Sequence, residues 1–321
     1  MMMDGPDALS AALRAVSFAL LLNAAGTPIF IAAFGHLVPN SLPDVKKLGS
    51  RLAIAALVFV AAHQALEAAR MAGEMSGITD PAMQKMALLS PAGATFAARI
   101  LGLILIIGGM RRTPPSDAAA VTNATAASDA TAASTHSATP AGASTQAPPP
   151  ANALALVGAL MAITSFTLMG HTATNTHRAA AAALITLHLL VVAFWLGSLW
   201  PLYLAAKQEQ PATAGHLIDR FSATATWAVP LILLAGVGLS ALLLPSLATF
   251  KQPYGQLLLA KLAGFAVLLA MACLNKYHFG PACAAGNTAA FQRTVVIEYA
   301  SICTVLTATA VMTTFFSPEP A

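Results

Sequence analysis

Eight stretches of the chain, at about 10–38, 51–72, 93–110, 152–171, 179–205, 222–245, 255–279 and 293–316, each hold close to twenty mainly apolar residues. A helix rising about 1.5 Å per residue needs about 20 such residues to cross the hydrocarbon core of a bilayer. Within hydrocarbon every backbone N–H and C=O has to be satisfied inside the segment, so runs of this kind fold as helices. The chain is therefore predicted to be an all-α, polytopic integral membrane protein, a bundle of about eight transmembrane helices. Its polar stock argues against a soluble domain: of 321 residues 57% are hydrophobic and 9% charged, where a soluble domain carries about a quarter charged.

The runs between these segments are short, with one exception. Residues 111–151 begin Arg111-Arg112-Thr113-Pro114-Pro115, continue through Ala, Thr and Ser, and end Pro148-Pro149-Pro150. Such composition suits an unpacked linker, and His136 within it has no neighbouring ligand. The chain then divides into a three-helix membrane part at 1–110, the linker at 111–151 and a five-helix membrane part at 152–321. Arg14 before an apolar run with small residues at Ala24-Ala25-Gly26 has the look of a secretory leader. The run continues to Phe34, too long for a leader's apolar region, and is read as the first helix.

Lys and Arg in the connecting segments set the expected orientation. One set holds Lys46, Lys47, Arg51, Arg111, Arg112, Lys207, Arg220, Lys276 and Arg293; the other holds Lys85, Arg178 and Lys251, with Arg14, Arg70 and Arg99 near helix ends. The heavier set is placed in the cytoplasm of a bacterial cell, which puts both termini on the periplasmic side of the inner membrane. A net charge of +4 without a basic stripe gives no nucleic-acid surface. Cys273, Cys283 and Cys303 form no CxxC pair and read as small apolar residues. Trp195, Trp200 and Trp227 read as anchors at the membrane interface.

In this orientation sulfur and imidazole gather toward the outside. The second outer loop carries Met71 and Met75, then Met83 and Met86, at spacings that share a face if helical. Glu67 and His63 lie one and two turns before Met71, making a ladder from the loop into the bilayer. Met169-Gly170-His171 ends the fourth helix, His177 sits in the next loop, and His188 lies two to three turns into the fifth helix; Met1, Met2, Met3 and Met312 fall on the same side. Thioether and imidazole without carboxylate cages suit Cu(I), or Cu(II) entering through imidazole. Any one Met is more often packing than ligand, whereas an imidazole inside a span is costly and points to function. His36, His216 and His278 fall on the inner side in loop or flanking roles. Lys261, two turns into the seventh helix, is read as a structural ion pair with Glu67, and Glu298 as one with Lys276 or Arg293. Gly236-Val237-Gly238 permits close helix contact and Gly26-Thr27-Pro28 a kink.

From Gly170 onward the sequence resembles the copper-resistance D (CopD) family of bacterial inner-membrane proteins. The resemblance rests on Gly170-His171, His188-Leu189-Leu190, Phe194-Trp195-Leu196-Gly197-Ser198-Leu199, Phe221-Ser222, Tyr254-Gly255-Gln256-Leu257-Leu258-Leu259-Ala260-Lys261, and Asn275-Lys276-Tyr277 before Pro281. Ser198 stands where the family often has a second Gly, and Gln256 where it often has Arg. The resemblance implies copper uptake or copper resistance, often beside a small periplasmic copper-binding protein of the CopC type. It also implies His171 and His188 as members of a metal site and Lys261 as part of a family motif.

The leading expectation is copper transport, with capture through Met71, Met75, Met83, Met86 and His177 and passage by His63, His171 and His188, Glu67 and Lys261 supporting. No GxxxxGK[ST] loop is present, so ATP-driven pumping by this chain is not expected, nor is an enzyme. Two alternatives remain open from sequence. His63 and His188, at comparable depth, would hold a b-type haem in an electron carrier or metalloreductase. The Met-rich loop would otherwise serve a non-transporting platform for a periplasmic copper chaperone.

Overall fold

The computed structural model describes residues 5–112, 150–170, 175–244 and 247–316, which form helices joined by short turns, with no strand among them. In chain order these are α1 (Gly5–Phe34), α2 (Leu42–Ala72), the short α3 (Pro81–Leu89), α4 (Pro91–Arg111), α5 (Pro150–Thr164), α6 (Arg178–Gln208), α7 (Pro211–Leu243), α8 (Pro253–Leu274), the short α9 (Gly280–Ala284) and α10 (Ala289–Phe315). Among the described residues seven helices are long and apolar enough to cross a membrane. The eighth apolar segment is helical too, but as the shorter Asn152–Leu168, where α5 passes into a 3₁₀ turn at Ser165–Leu168. The bulk of the proposed linker and His136 lie outside the described residues.

Local chemistry sets the helix ends. Pro occupies the first turn of α2, α3, α4, α7 and α8, where no intrahelical N–H bond is lost. Asp80 and Ser90 cap α3 and α4 by accepting from the Ala82 and Ala92 amides at 2.8 and 3.1 Å. Gly73 ends α2 with a left-handed φ of 76°. Between α8 and α9 the helix opens into a π turn at Asn275–Phe279, so Pro253–Ala284 runs as one span with a local bulge.

The first helix is the hub, with 67% of its apolar window buried inside the protein against 6% for Pro253–Ala284. It packs against α2, α5, α6 and α10. At its crossing with α6, Gly26 and Gly197 lie back to back; a Cβ on Gly197 would come within 2.5 Å of the Gly26 Cα. Small residues bring backbones together in the same way where Gly102 of α4 meets Gly158 of α5. Phe30, Phe34, Phe194 and Phe221 fill the middle of the bundle.

The start of α1 and the end of α10 lie on one face of the bundle, called here the terminal face: Arg14 of α1 donates to the Thr313 carbonyl of α10 at 3.1 Å. On the opposite face the buried Glu209 accepts from the Asn40 side chain and from the Ser41 amide and hydroxyl at 2.8–2.9 Å. That carboxylate ties the α1–α2 turn to the end of α6.

Two expectations about polar and amphipathic side chains fail here. Trp195 is 4% exposed and packs edge-on to Phe265, so it belongs to the interior. Trp200 stacks on Tyr203 and Tyr299, and Trp227, 83% exposed, projects from the middle of α7. The predicted ion pairs are also not formed. Glu67 pairs with Arg70 at 3.0 Å, and Lys261 has no acidic partner among the described residues. Glu298 accepts from the Asn275 amide at 2.8 Å, while Lys276 donates to the Thr226 hydroxyl at 2.9 Å. Arg70 and Asn275 are nearer in the fold than the cations and anions that depth along the chain had matched.

Candidate functional site

His63 sits on α2 nearly three turns below Gly73. Its Nε2 lies 3.5 Å from the Ser10 hydroxyl of α1. Beside the ring is a small cavity of about 20 Å³, lined by Gln64, Glu67, Thr95, Phe96, Arg99 and Met169 as well as His63. This is room for one water-sized species. The 3₁₀ turn that ends the Asn152–Leu168 helix brings Met169 to this place. Gln64 Nε2, buried, has no hydrogen-bond partner among the described residues. Arg99 donates to the Ser165 hydroxyl at 3.2 Å and lies over the Phe166 ring, 4.6 Å from its centroid. Arg70 spans Glu67 at 3.0 Å and Asp7 at 3.1 Å.

The expected ladder is thus only partly built. Glu67 is engaged by Arg70, and Met71 is exposed above it. Because Gly73 turns the backbone left-handed, Met75 falls on a separate 3₁₀ turn at Met75–Ile78 and does not extend the face that bears Met71. Met83 and Met86 do share the short α3, Met83 half-buried and Met86 exposed. His177 is exposed at the start of α6, its amide bound to Asn175 Oδ1 at 2.7 Å. His171 lies outside the described residues.

His188 looks the other way. From α6 its Nδ1 donates to the Ile232 carbonyl of α7 at 3.0 Å, and Gly236 leaves space beside the ring. With Nδ1 used as donor, the neutral ring presents the Nε2 lone pair to a ligand, the arrangement metal-binding imidazoles use. Lys261 of α8 is within electrostatic range. His63 faces α1 and α4, His188 faces α7, and neither described cavity contains both rings. Among the described residues no three His, Cys, Asp or Glu side chains converge as a metal site.

Met169, Gln64 and Arg99 are the members that sequence reading passed over. Met169 stood beside Gly170-His171 and carried a signal, since an outer-end Met joins the same soft-ligand set. Gln64 carried none, being one uncharged residue among many.

A second, larger cavity of about 330 Å³ opens in the half of the bundle away from the terminal face. Trp195, Phe221, Ser222, Asn275, Lys276 and Tyr277 line it, so three of the segments that carried the resemblance converge here although they come from α6, α7 and the π turn. Comparison with known families agrees: the description of copper resistance protein D (CopD) matches residues 215–312. Over this stretch the chain is similar to the CopD family. The CopD match spans α7 to α10 and includes Lys261, Asn275, Lys276 and Glu298; His63, Met169 and His188 precede it. No curated protein and no solved structure matches the chain. The spans and this match together describe a multi-pass, copper-related membrane protein with a CopD-like region at 215–312.

Proposed function

We propose that the protein carries copper across the bacterial inner membrane, taking it up at the terminal face and acting as a carrier rather than an enzyme. The observation that carries this reading is the meeting of His63 from α2 and Met169 from the turn after α5 in one ion-sized cavity, below a face bearing Met71, Met75 and Met86. One imidazole and one thioether make a soft, low-coordination set suited to Cu(I). Charge favours the same oxidation state, because Arg14, Arg70 and Arg99 act on His63 and repel a doubly charged ion more than a singly charged one. His188, with its free Nε2, offers a later ligand, and Lys261 supports that region.

The exposed Met71, Met75 and Met86 favour a second reading, a platform on which a periplasmic chaperone of the CopC type hands over copper that does not cross. Copper accumulation in cells separates the two. Expression of the wild type should raise cell copper, and the pair His63→Ala with Met169→Ala should return it to the level of the empty vector. Unchanged accumulation in that double variant, with the protein present in the membrane, contradicts transport through this site.

A further inference from the structure

We infer that the 330 Å³ cavity of the CopD region binds a planar, neutral, lipid-soluble molecule bearing carbonyl or hydroxyl oxygens, of the quinone class. Its volume falls at the lower end of the about 300–1,000 Å³ of small-molecule pockets, enough for one substituted ring. Copper is a poor occupant, since Cys273 is the only soft donor among its lining residues.

Three features select the ligand. The mouth faces hydrocarbon: α7 and α8 hardly touch, α8 leans on α10, and only 6% of the apolar window of Pro253–Ala284 is buried. A ligand entering there comes from the bilayer. The walls are rings and branched chains, with Trp195, Phe221, Phe265 and Phe291 around the space and Trp195 edge-on to Phe265 at 6.3 Å; such walls take a planar ring by stacking. The polar end sets an ammonium (Lys276), an amide (Asn275) and a hydroxyl (Thr226) beside a carboxylate (Glu298). Asn275 Nδ2 reaches Glu298 at 2.8 Å and Lys276 Nζ reaches Thr226 at 2.9 Å. Donors for a carbonyl and an acceptor for a hydroxyl thus sit together with one positive and one negative charge. That balance disfavours the ionic headgroup of a fatty acid or phospholipid and suits an uncharged head.

The inference stands apart from copper transport, and its test uses no metal. The full-length protein in nanodiscs of quinone-free lipid is titrated with decyl-benzoquinone while tryptophan fluorescence is read. Two variants report separately: Trp200→Phe with Trp227→Phe leaves Trp195 in the cavity, and Trp195→Phe with Trp200→Phe leaves Trp227, 83% exposed, as a monitor of partition into lipid. Trp195 should be quenched saturably at concentrations where Trp227 responds only linearly. Ala225→Phe, which fills the cavity, should abolish the saturable phase. Lys276→Met, which removes one donor without changing the walls, should weaken it about 3–10-fold. Parallel linear quenching of both reporters overturns the inference, as does saturable quenching that Ala225→Phe leaves intact in a folded, monodisperse sample. A bound phospholipid that decyl-benzoquinone fails to displace overturns it too.

Discussion

Asn275 donates to Glu298 and accepts from the Thr294 hydroxyl, so one amide in the π turn secures a buried carboxylate and a neighbouring helix. Replacing it by Leu leaves Glu298 without that donor while Thr294 keeps its bonds to the Ala290 and Phe291 carbonyls. Asn275→Leu should therefore cost about 1–3 kcal/mol, read as a lower unfolding temperature in detergent; an unchanged midpoint would contradict the role given to this amide. Charges and depths could be read from the sequence at this scale, but partners could not. Lys261 and Glu67 were matched because both lie at similar depth, yet Glu67 has Arg70 one turn away on its own helix. Local neighbours of that kind win because a nearby pair orders fewer groups than a distant one. Met169 shows the converse: its place against His63 depends on how the turn after α5 folds.

Among the elements, the α1–α6 crossing is the tightest constraint. Any side chain at Gly26 runs into the Ala193 backbone, whereas a Cβ at Gly236 would sit 3.7 Å from the His188 ring, an ordinary contact. Gly26→Ala should then destabilise the bundle by about 1–3 kcal/mol or more, and Gly236→Ala should be close to neutral. Thermal melting of both variants in one detergent checks the contrast, and equal melting would contradict the crossing. The helices themselves were legible because about twenty apolar residues in a row leave little choice. The short Asn152–Leu168 helix and the break at Gly73 were less so. The first depends on where α5 gives way to a 3₁₀ turn, the second on one left-handed residue that splits the Met71 and Met75 pair.

At the scale of the molecule, orientation decides what the soft ligands mean. The orientation proposed from loop charges has the terminal face outside, and a membrane-impermeant maleimide tests this in cells whose Cys273, Cys283 and Cys303 are changed to Ser. Lys85→Cys on the terminal face should label in intact spheroplasts and Lys47→Cys on the opposite face only after permeabilisation. The reverse pattern would turn the Met and His set toward the cytoplasm and make efflux or internal handover the better account. The architecture and the family region could be read from sequence, since both rest on long runs and ordered motifs. The convergence of those motifs on a cavity remote from His63 could not, because it needs the relative placement of α6, α7, α8 and α10. The proposed passage of copper across the bilayer is read as Cu(I) entry into proteoliposomes loaded with a Cu(I)-specific chelator. Entry should be well above that of protein-free liposomes and should fall to that background in His63→Ala with Met169→Ala. Entry no faster than protein-free liposomes, from protein that binds copper and is correctly folded, would contradict it.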